Sequence, residues 1–317
     1  MKKFTFVLGL LLVSLAGMAQ KNVVNVETAG TLQQVLEEQG LTQAEELTIT
    51  GELNGDDIRV LRMMGGGYFE VDPVMHYAYD WGESGPTPEP TNCLKRLDLS
   101  NAKIVEGGGM YAEYGLVSVS SEVAHYTSDD VIGKDMFAYL GSLEEVKLPL
   151  TATHVGYRAF WNLQKISDLS IPEGVEGIEY AAFTECVNLK TLSLPSTLKT
   201  FDATALTNDE SEPALCQLTV AAIEPPVVTS SFWNELANKC SLMVPEESVE
   251  AYRNHPQWGK FVNISSNKAP TAVNQVERAD NTPSAWYSYD GRQLTSPAKG
   301  LNIVRMKDGS VRKVMVK

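Results

Sequence analysis

Between Ile132 and Leu206 the apolar and polar positions recur at a fixed step. Phe137, Phe160 and Phe183 are 23 residues apart, and so are Pro149, Pro172 and Pro195. Ile132, Val155, Ile178 and Phe201 keep the same step, with Leu206 where a fourth Phe would fall. Inside each unit lies one short pattern: Leu143, Val146 and Leu148, then Ile166, Leu169 and Ile171, then Leu189, Leu192 and Leu194, each closed by its Pro. Side chains two apart on an extended strand point the same way, so each unit predicts one short strand with an inward apolar face. A fixed period in the twenties predicts a solenoid, mainly β, in which each unit stacks on its neighbours.

The pattern weakens outwards but continues. Residues 31–36 predict a short amphipathic helix stopped by Gly40, and 47–49 a first strand of the repeat type. Asp56 and Asp57 are placed to cap a second helix with Ile58, Leu61 and Met64 inward. Together these cover the first coil, whose apolar face would otherwise be open. Residues 97–99 return to the strand pattern, so 106–130, with Gly107, Gly108 and Gly109, reads as an insertion or an irregular coil. Leu215, Leu218 and Val220 give one more strand, and Leu242 and Val244 another, followed by a helix through Tyr252 with Glu246 and Glu247 in its first turn. Trp258, Phe261 and Ile264 form the C-terminal cap. Beyond them the period is lost: 265–285 is a polar linker, and 286–317 alternates around a turn at 307–309 as a small β-hairpin unit. The organisation expected is thus 1–19 leader, 20–90 cap and first strand with a loop insertion, 91–264 repeats with a cap helix, then linker and terminal β unit.

Composition changes the picture at three points. Met1-Lys2-Lys3, an apolar run and Gly17-Met18-Ala19 make a cleavable signal peptide, too short to span a bilayer. No later stretch is long and apolar enough to cross a membrane, so the product is expected to be secreted or held at the outer cell surface. The net charge of -14 argues against nucleic acid and anionic lipid as partners. Residues 286–317 hold seven Lys/Arg and two Asp/Glu, so the tail is basic and the remainder strongly acidic.

Candidate chemistry is sparse. His76, His125, His154 and His255 lie in separate segments without ligand spacing, and the four cysteines lack C-x-x-C spacing, so neither a metal nor a catalytic site is expected, and no cofactor. Gly65–Gly67 and Gly107–Gly109 do not fit phosphate-loop patterns. Cys216 and Cys240 each precede a strand Leu by two, which stacks them about one strand spacing (~5 Å) apart, within disulfide reach; two free thiols in the ladder is the alternative. The outward strand positions, such as Thr48, Asp98, Ser170 and Thr219, are small and polar, a poor surface for sugar stacking or a protein hot spot. Aromatics gather instead in the insertions. Tyr77, Tyr79, Trp81, Tyr111, Tyr114 and Tyr126 are therefore the candidate contact residues, weighed against packing as extra core.

The strands ending in Leu148-Pro149, Ile171-Pro172 and Leu194-Pro195, the turn from Ile178 through Phe183 and Cys186 to Leu189, the entry at 47–51 with 97–104, and the ending Val244-Pro245 to Tyr252 resemble the BspA-like leucine-rich repeats of exported bacterial proteins. The likeness covers about 40–264 and departs from the standard repeat by putting Pro where an Asn ladder would stand. Residues 289–317 resemble the C-terminal sorting domain of Bacteroidetes secretion systems, which implies export across the outer membrane. What these resemblances imply is a non-catalytic, monomeric surface protein that binds a protein ligand by adhesion, or, as the alternative, captures a glycan.

Overall fold

The computed structural model describes residues 22–67, 90–113, 124–207, 213–267, 283–288, 292–306 and 311–316. The chain opens with β1 (Val23–Val26), α1 (Leu32–Gln39), β2 (Glu46–Leu53), α2 (Gly55–Gly65) and β3 (Arg96–Ile104). Helix α1 stops where expected: Gly40 is left-handed and its N–H turns back to the Leu36 and Glu37 carbonyls. Helix α2 starts on a capping box, the Asn54 side chain accepting from Asp56 N–H while Asp57 accepts from Asn54 N–H. The same buried Asp57 carboxylate accepts from Gly30 and Leu32 N–H at 2.6 and 2.9 Å, so one side chain locks both cap helices together.

The insertion forms an antiparallel pair, β4 (Gly107–Glu113) and β5 (Ala124–Thr127). Then come the coils: β6 (Val131–Ile132), β7 (Glu145–Lys147), β8 (His154–Val155), β9 (Asp168–Ser170), β10 (Gly177–Ile178), β11 (Thr191–Leu194), β12 (Thr200–Phe201), β13 (Gln217–Val220) and β14 (Val227–Val228). Helix α3 (Asn234–Lys239), β15 (Ser241–Val244), α4 (Val249–Asn254) and β16 (Asn263–Ser266) finish the array. Each coil gives one strand to each of two parallel ladders. The first runs β1-β2-β3-β7 and resumes as β9-β11-β13-β15-β16; the second runs β6-β8-β10-β12-β14. Strand β1 and helix α3 carry no repeat signature and lie outside what the pattern predicts, and β16 extends two residues into the expected linker.

Register follows from the period. Leu169, Leu192, Leu218, Leu242 and Ile264 pair in one buried row, and Val155, Ile178 and Phe201 in another. Phe137, Phe160 and Phe183 stack at 5.6 and 5.5 Å between centroids. Between the ladders the turns also bond coil to coil: Phe137 N–H donates to Ala159 O, Phe160 to Ala182 and Phe183 to Ala205, at 2.8–2.9 Å. This turn geometry requires left-handed residues at two places per coil, filled by Asp135, Arg158 and Ala181 and by Tyr139, Asn162 and Glu185. None is glycine, so each carries the cost of a Cβ at positive φ. At the C-terminal end Trp258 Nε1–H donates to Pro226 O, Tyr252 O–H to Ala222 O, and Phe232 and Phe261 close around the Trp.

Contacts divide the chain after Asn267. The terminal unit is a four-stranded antiparallel sheet, β17 (Pro283–Ser288), β18 (Gln293–Leu294), β19 (Gly300–Met306) and β20 (Val311–Val316), in the order β18-β17-β19-β20. The expected hairpin is β19–β20, and two further strands join it. Val304 and Asn302 are buried, the Asn side chain bonded to Ala298 and Gly300.

Two outcomes follow from this architecture. At Glu185, left-handed at φ 61°, a Gly variant is expected to be more stable than an Ala variant by about 1 kcal/mol, whereas at Ser170, in a strand, Ala is expected to exceed Gly by roughly 0.5–1 kcal/mol; urea midpoints of the four variants check this. The second concerns His255, whose Nδ1 accepts from Gln257 and Trp258 N–H and so caps the last turn in its neutral form. Burial lowers its pKa below 6.5. The unfolded chain therefore binds the proton more readily, and stability is full above pH 6.5 and falls as the pH drops below it. His255→Asn keeps a capping acceptor without titrating, and the slope of melting temperature against pH between 7 and 5 is expected to flatten in that variant.

Candidate functional site

The aromatics that the sequence singles out separate into three groups. Tyr77, Tyr79, Trp81 and Tyr114 lie outside the described residues. Tyr126, on β5, is 58% exposed. Tyr111, on β4, is 1% exposed: its ring packs beside His125 and its hydroxyl donates to Lys134 O at 2.7 Å. Gly133 leaves room for that hydroxyl, since a Cβ there would stand 2.5 Å from it. Tyr111 is therefore core, and it anchors the insertion to the first regular coil.

That junction holds a set of charges. Asp135 is fully buried and its carboxylate meets His125 Nε2 at 3.2 Å and Arg158 Nε at 3.0 Å. Buried Arg62, from α2, donates to the carbonyls of Asp135, Met136 and Ala138 at 2.6–3.2 Å. Burial raises the Asp135 carboxyl above the usual range, against the pull of His125 and Arg62. Burial likewise lowers Arg62 to about 10 while Asp135 and Tyr111 favour its charge. A buried charge is tolerated when paired, and here the pairs come from four places: the cap helix, the insertion and two successive coils.

Arg158 carries this junction to the surface. Its guanidinium carbon lies over Trp161, 3.3 Å from the ring centroid, and 5.7 Å from that of Tyr157. Trp161 stacks on Tyr139 at 6.4 Å, and Tyr157 on Tyr180 at 5.5 Å with the planes 12° apart. Lys134 Nζ stands 5.4 Å over Tyr157. Tyr139, Tyr157 and Trp161 are half-buried and Tyr180 is exposed. The result is an aromatic and cationic strip on the turns of the solenoid. The signal for it was in the sequence, since Lys134, Tyr157 and Tyr180 stand at the repeat's own step of 23. A reading confined to strand and insertion residues passes over it.

The outward strand face is polar, as its composition implies. At its N-terminal end a groove of about 220 Å³ is lined by Glu46, Thr48, Arg96, Asp98, Glu145 and Lys147 among others. Its charges satisfy one another: Arg96 bonds Glu46, and Lys147 lies 3.2 Å from Asp98 and 3.9 Å from Glu145. Cys216 and Cys240 are both free thiols. Their strands are in the expected register, Gln217 opposite Ser241, but Cys240 is buried and Cys216 exposed, the sulfurs turned to different carbonyls. Burial, with Cys216 nearby, pushes the Cys240 thiol up to about 12. Among the described residues no group of His, Cys, Asp or Glu could hold a metal ion, and no helix is long and apolar enough to cross a membrane.

Residues 126–224 match the BspA type leucine rich repeat region in six copies. No curated protein matches the chain. Among solved structures it is similar to a leucine-rich repeat protein from Bacteroides ovatus ATCC 8483, at 17% identity and a TM-score of 0.21. That likeness covers 49% of this chain and 48% of the other, so the chain spans about half the length of the structure it matches. The period, the parallel short-strand ladders and the matched repeats agree: residues 126–224 of this chain are a leucine-rich repeat region of the BspA type.

Proposed function

We propose that this is an exported, surface-associated protein that binds a protein ligand without catalysis, and that the turn-face strip of Tyr139, Trp161, Tyr157 and Tyr180 is its contact surface. Leucine-rich repeat proteins typically mediate protein interaction. The observation that carries the reading is the strip itself. Tyr and Trp are among the residues that dominate protein hot spots; here Tyr139, Tyr157, Trp161 and Tyr180 are partly exposed, and Trp161 is backed by buried Arg158, which is paired with Asp135. A preset surface loses little side-chain freedom on binding. Export rests on the signal-like leader, and surface retention on the basic tail with its likeness to a sorting domain.

Glycan capture is the second reading, favoured by the exposed ring of Tyr180, which could stack on a sugar. The test is binding of the full-length secreted product to arrays of host matrix proteins and glycans, beside two variants. One carries Tyr139→Ser with Trp161→Ser, the other Tyr157→Ser with Tyr180→Ser. A protein hit is expected to weaken at least tenfold in both variants, with unchanged circular dichroism. A hit that survives both moves the contact surface off the turns, and a hit confined to glycans replaces adhesion by capture.

A further inference from the structure

The strip has a closed end and an open one. Residues 134, 157 and 180 occupy one position in successive coils and read Lys, Tyr, Tyr. Lys134 covers one face of the column, and Tyr157 and Tyr180 share the next. The following coil puts Ala203 at this position. A methyl cannot cover a ring, and Tyr180 remains 55% exposed although one face is stacked on Tyr157.

The neighbouring position gives the sign of what would fit there. Residues 133, 156, 179 and 202 read Gly, Gly, Glu, Asp; the Glu179 carboxylate turns back to the Tyr157 coil, and Asp202 stands on the coil at the open end. They lie on adjacent coils, because Asp202 N–H donates to Ile178 O. Glu179 is exposed and is fixed by accepting from Tyr157 N–H at 2.9 Å. Burial would raise the Asp202 carboxyl, but hydrogen bonds from Ser230, Thr204 and Thr229 outweigh it and keep the group ionised. Among the described residues neither acid has an ion-pair partner. An electron-rich ring face with a held, ionised carboxylate on the coil that follows it attracts a cation and repels an anion.

We propose that the open face of Tyr180, toward the coil of Asp202, docks a cationic side chain, Lys or Arg, from a basic segment of the protein partner. The partner's cation would sit on Tyr180 as Lys134 sits on Tyr157. This rests on the adhesion reading above for its context, but it makes a narrower claim about the chemistry of the ligand.

The probe is a fluorescein-labelled peptide with about three arginines spaced by Gly-Ser, alongside the same peptide with citrulline or glutamate in place of arginine, titrated against the full chain. The arginine peptide is expected to bind, the citrulline peptide to bind several-fold more weakly, and the glutamate peptide not to bind. Tyr180→Leu, which keeps apolar bulk and removes the ring, is expected to weaken the arginine peptide about two- to fivefold, and Tyr180→Phe to retain it. Asp202→Asn, which keeps the acceptor for Thr204 N–H, is expected to weaken binding and flatten its salt dependence. Glu37→Gln with Glu38→Gln, on exposed α1, is expected to change nothing.

Equal binding by the Leu and Phe variants would overturn the proposal, as would equal binding of arginine and citrulline, an equal effect of the α1 variant, or no binding of the arginine peptide. So would a neutral glycan that competes for Tyr180. A partner found on the arrays that needs Tyr139 and Trp161 but tolerates Tyr180→Leu would sink the cation site and leave adhesion standing. Ring-dependent arginine binding without any array partner would do the reverse.

Discussion

One backbone hydrogen bond, repeated, sets the stacking of the regular coils. In each turn the N–H of the central Phe donates to the carbonyl of an Ala on the next coil, from Phe137 to Ala159, Phe160 to Ala182 and Phe183 to Ala205. Buried N–H groups must be paired, and a turn inside a solenoid has nothing but the adjacent turn to pair with. In the regular coils the 23-residue step keeps these donors and acceptors level from one coil to the next, and the side chains follow it. The Phe rings stack because their Cα atoms are stacked. For the same reason non-glycine residues occupy the left-handed positions: the inter-coil bonds and the buried rings hold the backbone there in spite of the local cost.

Where the period breaks, other forces take over. The insertion carrying β4 and β5 cannot join the inter-coil ladder in step, and it is tied down by polar contacts instead. Tyr111 bonds the Lys134 carbonyl, His125 reaches Asp135, and Arg62 gathers three carbonyls of the first regular turn. A cluster of this kind costs desolvation that an apolar contact would not. What it gives is direction. A planar guanidinium from α2 and another from the second coil both converge on Asp135 or its turn, and this fixes the insertion, the cap and the coils in one arrangement. Arg158 then extends that order outwards by lying on Trp161, so the surface strip is built on the junction beneath it.

How much of this the sequence disclosed depends on how far apart the cooperating residues are. The first-ladder strands, the second helix, the Gly40 stop and the Trp258 cap were legible because their determinants sit within a turn or one repeat of each other; the second ladder of two-residue strands was not, and the N-cap of α2 is Asn54 rather than Asp56 or Asp57. The Asp135 junction was not, because Arg62 is 73 residues away in sequence and nothing local marks either residue as buried. Cys216 and Cys240 precede strands in the expected register and are free thiols, one exposed and one buried. Tyr111 illustrates an ambiguity. A Tyr in an insertion satisfies both a contact reading and a core reading, and one well-placed carbonyl partner decides between them.

The Tyr column was legible and was passed over, for a physical reason. In most sheet proteins the strand is where side chains are ordered enough to recognise a partner, and turns are expected to vary. In a solenoid of this kind the turn is as regular as the strand, since it carries its own inter-coil hydrogen bonds. Any column of equivalent turn residues is then a rigid surface with one residue per coil, spaced by the coil repeat. A column whose members change from Lys to Tyr to Tyr to Ala has a beginning and an end, and it is the end, where stacking stops and two carboxylates replace two glycines, that is chemically distinct from the rest of the array. Recognition by a repeat protein need not come from what every repeat shares; it can come from the single coil at which a column stops.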